Sequence, residues 1–251
     1  MIGIFDSGSG GLTVLRAMRD RLASPDVLYF GDIKNAPYGS KSHEELSQLT
    51  IEAIAFLRSR GARSIVSACN SVSASLAVSL FDTLEIDSLR LIEMVGPTVG
   101  AFRNSKKRIL LTATPATVKS GIYRNGFRMI GKDIFEVSIP DLAGAIEFGA
   151  DEAALERKIR EVFGGIQPND FDVLILACTH YPLILPIFQK VLGTSLPILD
   201  PALIVADKVE RELWPREAGN GTTHFVISKD SGHFRNLVLR LFPEADNLIF
   251  F

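Results

Sequence analysis

Short apolar runs rich in Val, Ile and Leu recur along the chain at 2–5, 27–30, 64–68, 89–94, 108–112, 134–139, 173–177, 197–199 and 223–228. Their length and composition predict buried strands. Between several of them apolar residues return every three or four positions, at 12–22, 43–60, 151–163, 204–213 and 234–242, which predicts amphipathic helices. Gly61 and Gly164 stand where two of these helices would stop. Strands alternating with helices predict parallel sheets covered on both faces.

Two stretches repeat one pattern. Ile65-Val66-Ser67-Ala68-Cys69-Asn70-Ser71 and Leu174-Ile175-Leu176-Ala177-Cys178-Thr179-His180 each run an apolar strand into Ala-Cys-polar. The repeat is short, but it places one cysteine in each of two similar halves, at the carboxyl end of a strand, where open parallel sheets form ligand crevices. The expected architecture is α/β, with two similar open parallel-sheet domains facing each other across an active-site cleft.

A length of 251 residues allows one or two compact units. The net charge of -2 gives no electrostatic footprint for nucleic acid, so a small-molecule partner is expected. The uncharged stretch 64–81 is long enough to raise the question of a membrane span, but its six serines and Asn70 read better as a buried strand running into a core helix. The chain opens on a strand pattern with no basic and apolar leader before it, which makes the cytoplasm the expected compartment. Two cysteines are too few for a disulfide framework, and no zinc-ligand spacing surrounds them. If they act, they act as thiols.

The loop Asp6-Ser7-Gly8-Ser9-Gly10-Gly11 joins an expected strand to an expected helix, where glycines permit close approach and free helical N–H groups favour an anion. Thr13 stands where a dinucleotide fingerprint needs its third glycine, and no Gly-Lys-Ser/Thr follows. The alternative is that Asp6 and Ser7 simply cap the helix. A free thiol titrates near roughly 8.5, and a helix N-terminus or nearby cation lowers that value. Asn70-Ser71 and Thr179-His180 both resemble helix entrances. His180 is placed to polarise Cys178 or to carry a proton. Asp6 and Glu147 are the carboxylates chosen to tune the two thiols. The turn around Pro37-Tyr38-Gly39 can present an aromatic hydroxyl and backbone N–H groups.

Taken together, Phe5-Asp6-Ser7-Gly8-Ser9-Gly10-Gly11, Gly31-Asp32, Pro37-Tyr38-Gly39, Ala68-Cys69-Asn70-Ser71, Thr114-Pro115-Ala116-Thr117 and Ala177-Cys178-Thr179-His180-Tyr181-Pro182-Leu183 resemble the motifs of the glutamate racemase family, in the same order and across nearly the whole chain. The resemblance implies a two-domain enzyme, with 1–95 and 206–251 forming one domain and 96–205 the other. It implies interconversion of L- and D-glutamate without pyridoxal phosphate, metal or other cofactor, in the service of peptidoglycan synthesis. One cysteine would remove the α-proton as thiolate while the other donates from the opposite face. Asp6 would assist Cys69, and His180 with Glu147 would assist Cys178. Substrate would be held by Asp6, Ser7, Pro37, Tyr38, Gly39, Asn70, Ser71, Thr114, Thr117, Thr179 and His180. Ser71-Val72 stands where the family commonly has Thr-Ala.

The resemblance leaves a homodimer open, and also a contact with DNA gyrase, which some members of the family inhibit. Three rival readings remain at this point. They are a racemase or isomerase of aspartate, a hydantoin or another small acid; a glutamate-binding regulatory protein without turnover; and a redox pair of cysteines, which needs Cα atoms within about 7 Å.

Overall fold

The computed structural model describes residues 1–73, 90–243 and, for the backbone alone, 248–250. Among the described residues the strands are β1 (Ile2–Asp6), β2 (Val27–Gly31), β3 (Ser64–Ser67), β4 (Leu91–Ile92), β5 (Ile109–Ala113), β6 (Phe135–Ser138), β7 (Val173–Ala177), β8 (Ile198–Leu199), β9 (Thr223–Ile227) and β10 (Leu248–Phe250). They form two sheets, ordered β10-β9-β2-β1-β3-β4 and β6-β5-β7-β8. Every pairing in both sheets is parallel. The chain is therefore α/β with two open parallel sheets, as the alternation of its pattern predicts.

The near-continuous apolar character of the central strands follows from burial on both faces. In β1, Ile2 and Ile4 pack with the helices Leu12–Arg19, Pro201–Leu213 and Gly232–Leu241. Phe5, on the opposite face, packs with the helix His43–Ser59. Ser42 starts that helix by accepting from the Glu45 N–H, while the Glu45 carboxylate accepts from the Ser42 N–H, so two orphan donors are satisfied reciprocally. In the second sheet Leu110, Leu174 and Leu176 face the helices Leu142–Glu147, Glu152–Phe163 and Leu185–Leu192. Ile109, Leu111, Val173 and Ile175 face Val95–Ala101 and Ile122–Met129.

Each sheet has a point where successive connections diverge. β1 lies between β2 and β3, and β5 lies between β6 and β7. Crevices open at the carboxyl ends of the strands beside such points. Asp6 ends β1, and Cys69 follows β3; Thr114 follows β5, and Cys178 follows β7.

Several elements differ from expectation. The helix expected over 12–22 ends at Arg19. Of the strand expected over 89–94, only Leu91–Ile92 forms, and Leu89 lies outside the described residues. The stretch 64–81 does enter as strand β3 followed by the turn of helix Asn70–Ser73, with 74–81 outside the described residues. The helices Val95–Ala101, Pro115–Ser120, Ile122–Met129, Leu142–Glu147 and Leu185–Leu192 were not expected. All are short, and most carry an internal Gly or Pro that blurs the apolar period. Among the described residues no helix is long and apolar enough to cross a membrane.

Candidate active site

The two Ala-Cys segments meet at one cavity. Ala68 is held to β1 by its N–H, which donates to the Phe5 carbonyl at 2.8 Å, and the Val72 N–H then donates to the Cys69 carbonyl at 3.1 Å to begin a helical turn. Cys178 is followed by the turn Tyr181–Ile184, opened by the Tyr181 N–H donating to the Cys178 carbonyl at 3.1 Å. Both thiols are free and buried. They line a single cavity with about 330 Å³ of empty space, its mouth included. Ser7, Pro37, Tyr38, Gly39, Asn70, Ser71, Thr114, Glu147, Thr179 and His180 join them there. Asp6 and Thr117 stand behind the lining, and Ala36 and Ala143, which sequence reasoning missed, complete it.

On the Cys69 side the thiol donates to Ser7 Oγ at 3.8 Å. Burial, and then the negative charge of Asp6, push the Cys69 thiol up to about 12. Asp6 is itself fully buried. Its Oδ2 accepts from the Gly8 N–H at 2.9 Å and its Oδ1 from the Thr179 hydroxyl at 3.0 Å. Burial raises the Asp6 carboxyl, against the opposing pull of His180 and the Gly8 N–H. Asp6 does not cap the following helix, whose N-cap is Gly11 without a side-chain bond.

The Cys178 side carries an imidazole–carboxylate pair where the Cys69 side carries a carboxylate. His180 Nδ1 lies 4.0 Å from Cys178 Sγ, and Nε2 lies 2.7 Å from Glu147 Oε2. Burial disfavours the imidazolium, but the bonds to Cys178 and Glu147 outweigh it and raise His180 well above its ordinary value. Burial likewise works against the Glu147 carboxylate, yet His180 and the two donors of Ser9 hold that carboxyl below its ordinary value. Those donors, the Ser9 N–H and hydroxyl, both reach Glu147 Oε2 at 2.7 Å.

The glycine-rich loop thus receives an anion supplied by the protein itself. A Cβ on Gly8 would fall 2.4 Å from Glu147 Oε2, and one on Gly10 would fall 2.5 Å from His180 Nδ1. The glycines let the loop of the first sheet press against two side chains of the second. Sequence reasoning missed Ser9: a hydroxyl in the loop was visible, but its partner is 138 positions away.

Around the rest of the cavity, hydroxyl groups join the two sheets. Ser71 Oγ, Thr114 Oγ1 and Thr117 Oγ1 form a triangle with sides of 2.9, 3.3 and 3.1 Å. Tyr38 donates to Asp32 Oδ2 at 2.6 Å, and Ser228 donates to Asp32 Oδ1 at 2.6 Å, which ties the Pro37-Tyr38-Gly39 turn to the end of β9. Tyr123 donates to Asn70 Oδ1 at 2.6 Å, leaving the buried Asn70 Nδ2 without a protein partner at the cavity. A buried donor of this kind is a place for a ligand acceptor.

Two thiols thus line one cavity from two sheets, one beside a carboxylate and the other beside an imidazole–carboxylate pair. Fold and site define a racemase, an enzyme of the isomerase class. The chain belongs to the Asp/Glu/Hydantoin racemase family, whose profile matches residues 10–209. It is 32% identical over 240 residues to a glutamate racemase of Thermoanaerobacter sp. (strain X514), covering 93% of this chain and 89% of that one. Its fold matches glutamate racemase isoform RacE1 from Bacillus anthracis with a TM-score of 0.87 at 27% identity, over 100% of this chain and 97% of that one. It matches the Francisella tularensis glutamate racemase in complex with D-glutamate with a TM-score of 0.84 at 26% identity, over 99% and 95% of the two chains.

Proposed function

We propose that this enzyme racemises glutamate by a two-thiol mechanism that draws on no cofactor, and that its D-glutamate supplies peptidoglycan synthesis in the cytoplasm. The observation that carries the reading is the pair of buried free thiols lining one cavity from two sheets. The relatives named glutamate racemase, one of them holding D-glutamate, support the choice of substrate. The same reading treats 1–95 with 206–251 and 96–205 as the two halves that enclose the substrate.

With its thiol raised to about 12, Cys69 rests protonated and serves as the first proton donor. Cys178, 4.0 Å from the His180 ring, serves as the first base. Its thiolate removes the α-proton and becomes a thiol, leaving an enediolate-like carbanion. Cys69 then delivers its proton to the opposite face and becomes the thiolate, which completes inversion; the reverse direction exchanges the two roles. The unpartnered Asn70 Nδ2 and the Ser71–Thr114 hydroxyls are placed to donate to the substrate carboxylate as charge develops on it.

Each enantiomer of glutamate, offered separately in deuterated water, should exchange its α-proton and lose its optical purity. Exchange and inversion with aspartate or a hydantoin, and neither with glutamate, would move the assignment elsewhere in the family. Tight glutamate binding without exchange would leave a binding protein.

A further inference from the structure

Ser9 is the donor that reaches from the glycine-rich loop of the first sheet to the imidazole–carboxylate pair of the second. Its N–H and its hydroxyl converge on the same oxygen, Glu147 Oε2, which also meets His180 Nε2 at 2.7 Å. Three short bonds therefore meet on one oxygen of the carboxylate. The other oxygen, Oε1, is buried and has no protein partner. Ser9 is itself fully buried and does not line the cavity, so it touches the reaction only through Glu147.

From this arrangement we infer that Ser9 is a positioning residue which holds Glu147 as a carboxylate turned toward His180 Nε2, and so keeps the His180 ring aimed with Nδ1 at Cys178 Sγ. The inference rests on the two-thiol reading of the site. Its chemistry is simple: an oxygen that already accepts two donors is a poor site for a proton, and hydrogen bonds to the charged form of a carboxylate favour that form. The remaining bond to Oε2 then comes from a protonated Nε2, which leaves Nδ1 to face the Cys178 sulfur. The backbone N–H of Ser9 alone would hold the loop in place. The hydroxyl is a second donor, and its removal isolates the proton-holding role from the structural one.

Among the described residues the titratable groups around this pair are Asp6 from β1, which acts on both His180 and Glu147; Cys178 from the end of β7; Tyr29 from β2, raised by burial and then by Asp6 and Glu147; and Tyr181 and Tyr123, which lie near Cys178 and are raised first by burial. The three tyrosines lie above their ordinary value and stay neutral across the working range. The acid limb of the rate profile then reports protonation of the Glu147 carboxyl, with Asp6 as the nearest competing carboxyl.

The test compares wild type, Ser9→Ala and Ser9→Thr. It follows kcat and KM for both enantiomers of glutamate from about pH 3 to 9, together with the ring 1H–15N signals of His180 in the substrate-free enzyme, assigned through His180→Asn. In Ser9→Ala we expect kcat to fall about tenfold with KM little changed. The acid limb should move up by about one pH unit, the size expected for loss of one hydrogen bond to a charged group. The His180 titration should be displaced in the same variant, and Ser9→Thr, which keeps the hydroxyl, should restore the wild-type limb and titration. A Ser9→Ala enzyme whose limb and imidazole titration coincide with wild type overturns the inference, even if its rate is lower. Should Ser9→Thr fold poorly, the comparison of Ser9→Ala with wild type still decides. A wild-type enzyme inert toward glutamate would defeat the functional reading instead, while the imidazole titration, which needs no substrate, would still test the role of Ser9.

Discussion

The two thiols have similar backbone settings and opposite electrostatic ones. Both follow an apolar strand at the carboxyl end of a parallel sheet, and both are 5% exposed. Cys69 has the buried carboxylate of Asp6 near it, with Ser7 Oγ at 3.8 Å and the Val72 N–H as its polar contacts among the described residues. Cys178 has His180 at 4.0 Å, backed by Glu147 and Ser9. A carboxylate beside a buried thiol keeps the proton on the sulfur, whereas an imidazolium favours the thiolate. Repeated backbone geometry thus gives two similar positions, and their neighbours give them different electrostatic surroundings. A reaction that removes a proton on one face and supplies one on the other needs that difference at the start of every turnover.

Removing either thiol breaks the comparison most severely. Cys69→Ala and Cys178→Ala should each lose racemisation by at least about 10³-fold, as loss of a proton carrier implies, in a circular dichroism assay of optical inversion. If one variant still washes deuterium into a single enantiomer, the surviving thiol is acting as base alone.

A sharper division comes from the supporting groups. His180→Asn should slow turnover by about 10²-fold, because the imidazole that lies 4.0 Å from the Cys178 sulfur and bonds Glu147 is gone. Asp6→Asn should act on its own thiol, letting Cys69 ionise below about 12, seen as thiolate absorbance near 240 nm appearing at lower pH. Equal effects on both thiols from either substitution would abolish the asymmetry argued here.

Gly8→Ala probes the contact between the halves. Its Cβ would sit 2.4 Å from Glu147 Oε2, against a side chain already held by His180 and Ser9. Overpacking of this kind costs about 1–3 kcal/mol, to be read as a lowered urea midpoint. A larger loss of kcat than of stability would place the damage in the Glu147–His180 pair.

The smallest effect concerns stability against pH. The carboxyl of Glu147 is lowered from its ordinary 4.5 on folding, so its contribution is present above that value and is lost as pH falls through the lowered one. The imidazole of His180 is raised from 6.5, so its contribution is full below that value and is lost as pH rises through the raised one. The Tm difference between wild type and Glu147→Gln should therefore be widest between 4.5 and 6.5 and narrow on either side. A difference that grows steadily with pH would contradict the pairing.

Much of this molecule was legible along the chain. The strands at 27–30, 64–68 and 173–177 and the helix at 43–60 were readable because their patterns are local and sustained. Cys69, Cys178, Asn70 and Thr179 each lie in a short motif at a strand's end, which made them candidates along the chain, and all four line the cavity. The short helices such as Pro115–Ser120 and Leu142–Glu147 were not, since a helix of six residues offers too little period to measure and is stabilised by its packing.

What the sequence by itself determined was the alternation of strands and helices, the two Ala-Cys segments and the supply of glycines, carboxylates and hydroxyls near them. Only the tertiary structure decided which of these meet. Ser9 reaches Glu147 across 138 positions, Ser228 reaches Asp32 across 196, and Tyr123 reaches Asn70 across 53. No local pattern encodes such pairings: Ser228 meets Asp32 because β9 and β2 lie side by side in one sheet, and Ser9 and Tyr123 find their partners where the carboxyl ends of the two sheets face each other. The different electrostatic surroundings of the two thiols depend on those long-range neighbours and on burial, which the fold alone supplies.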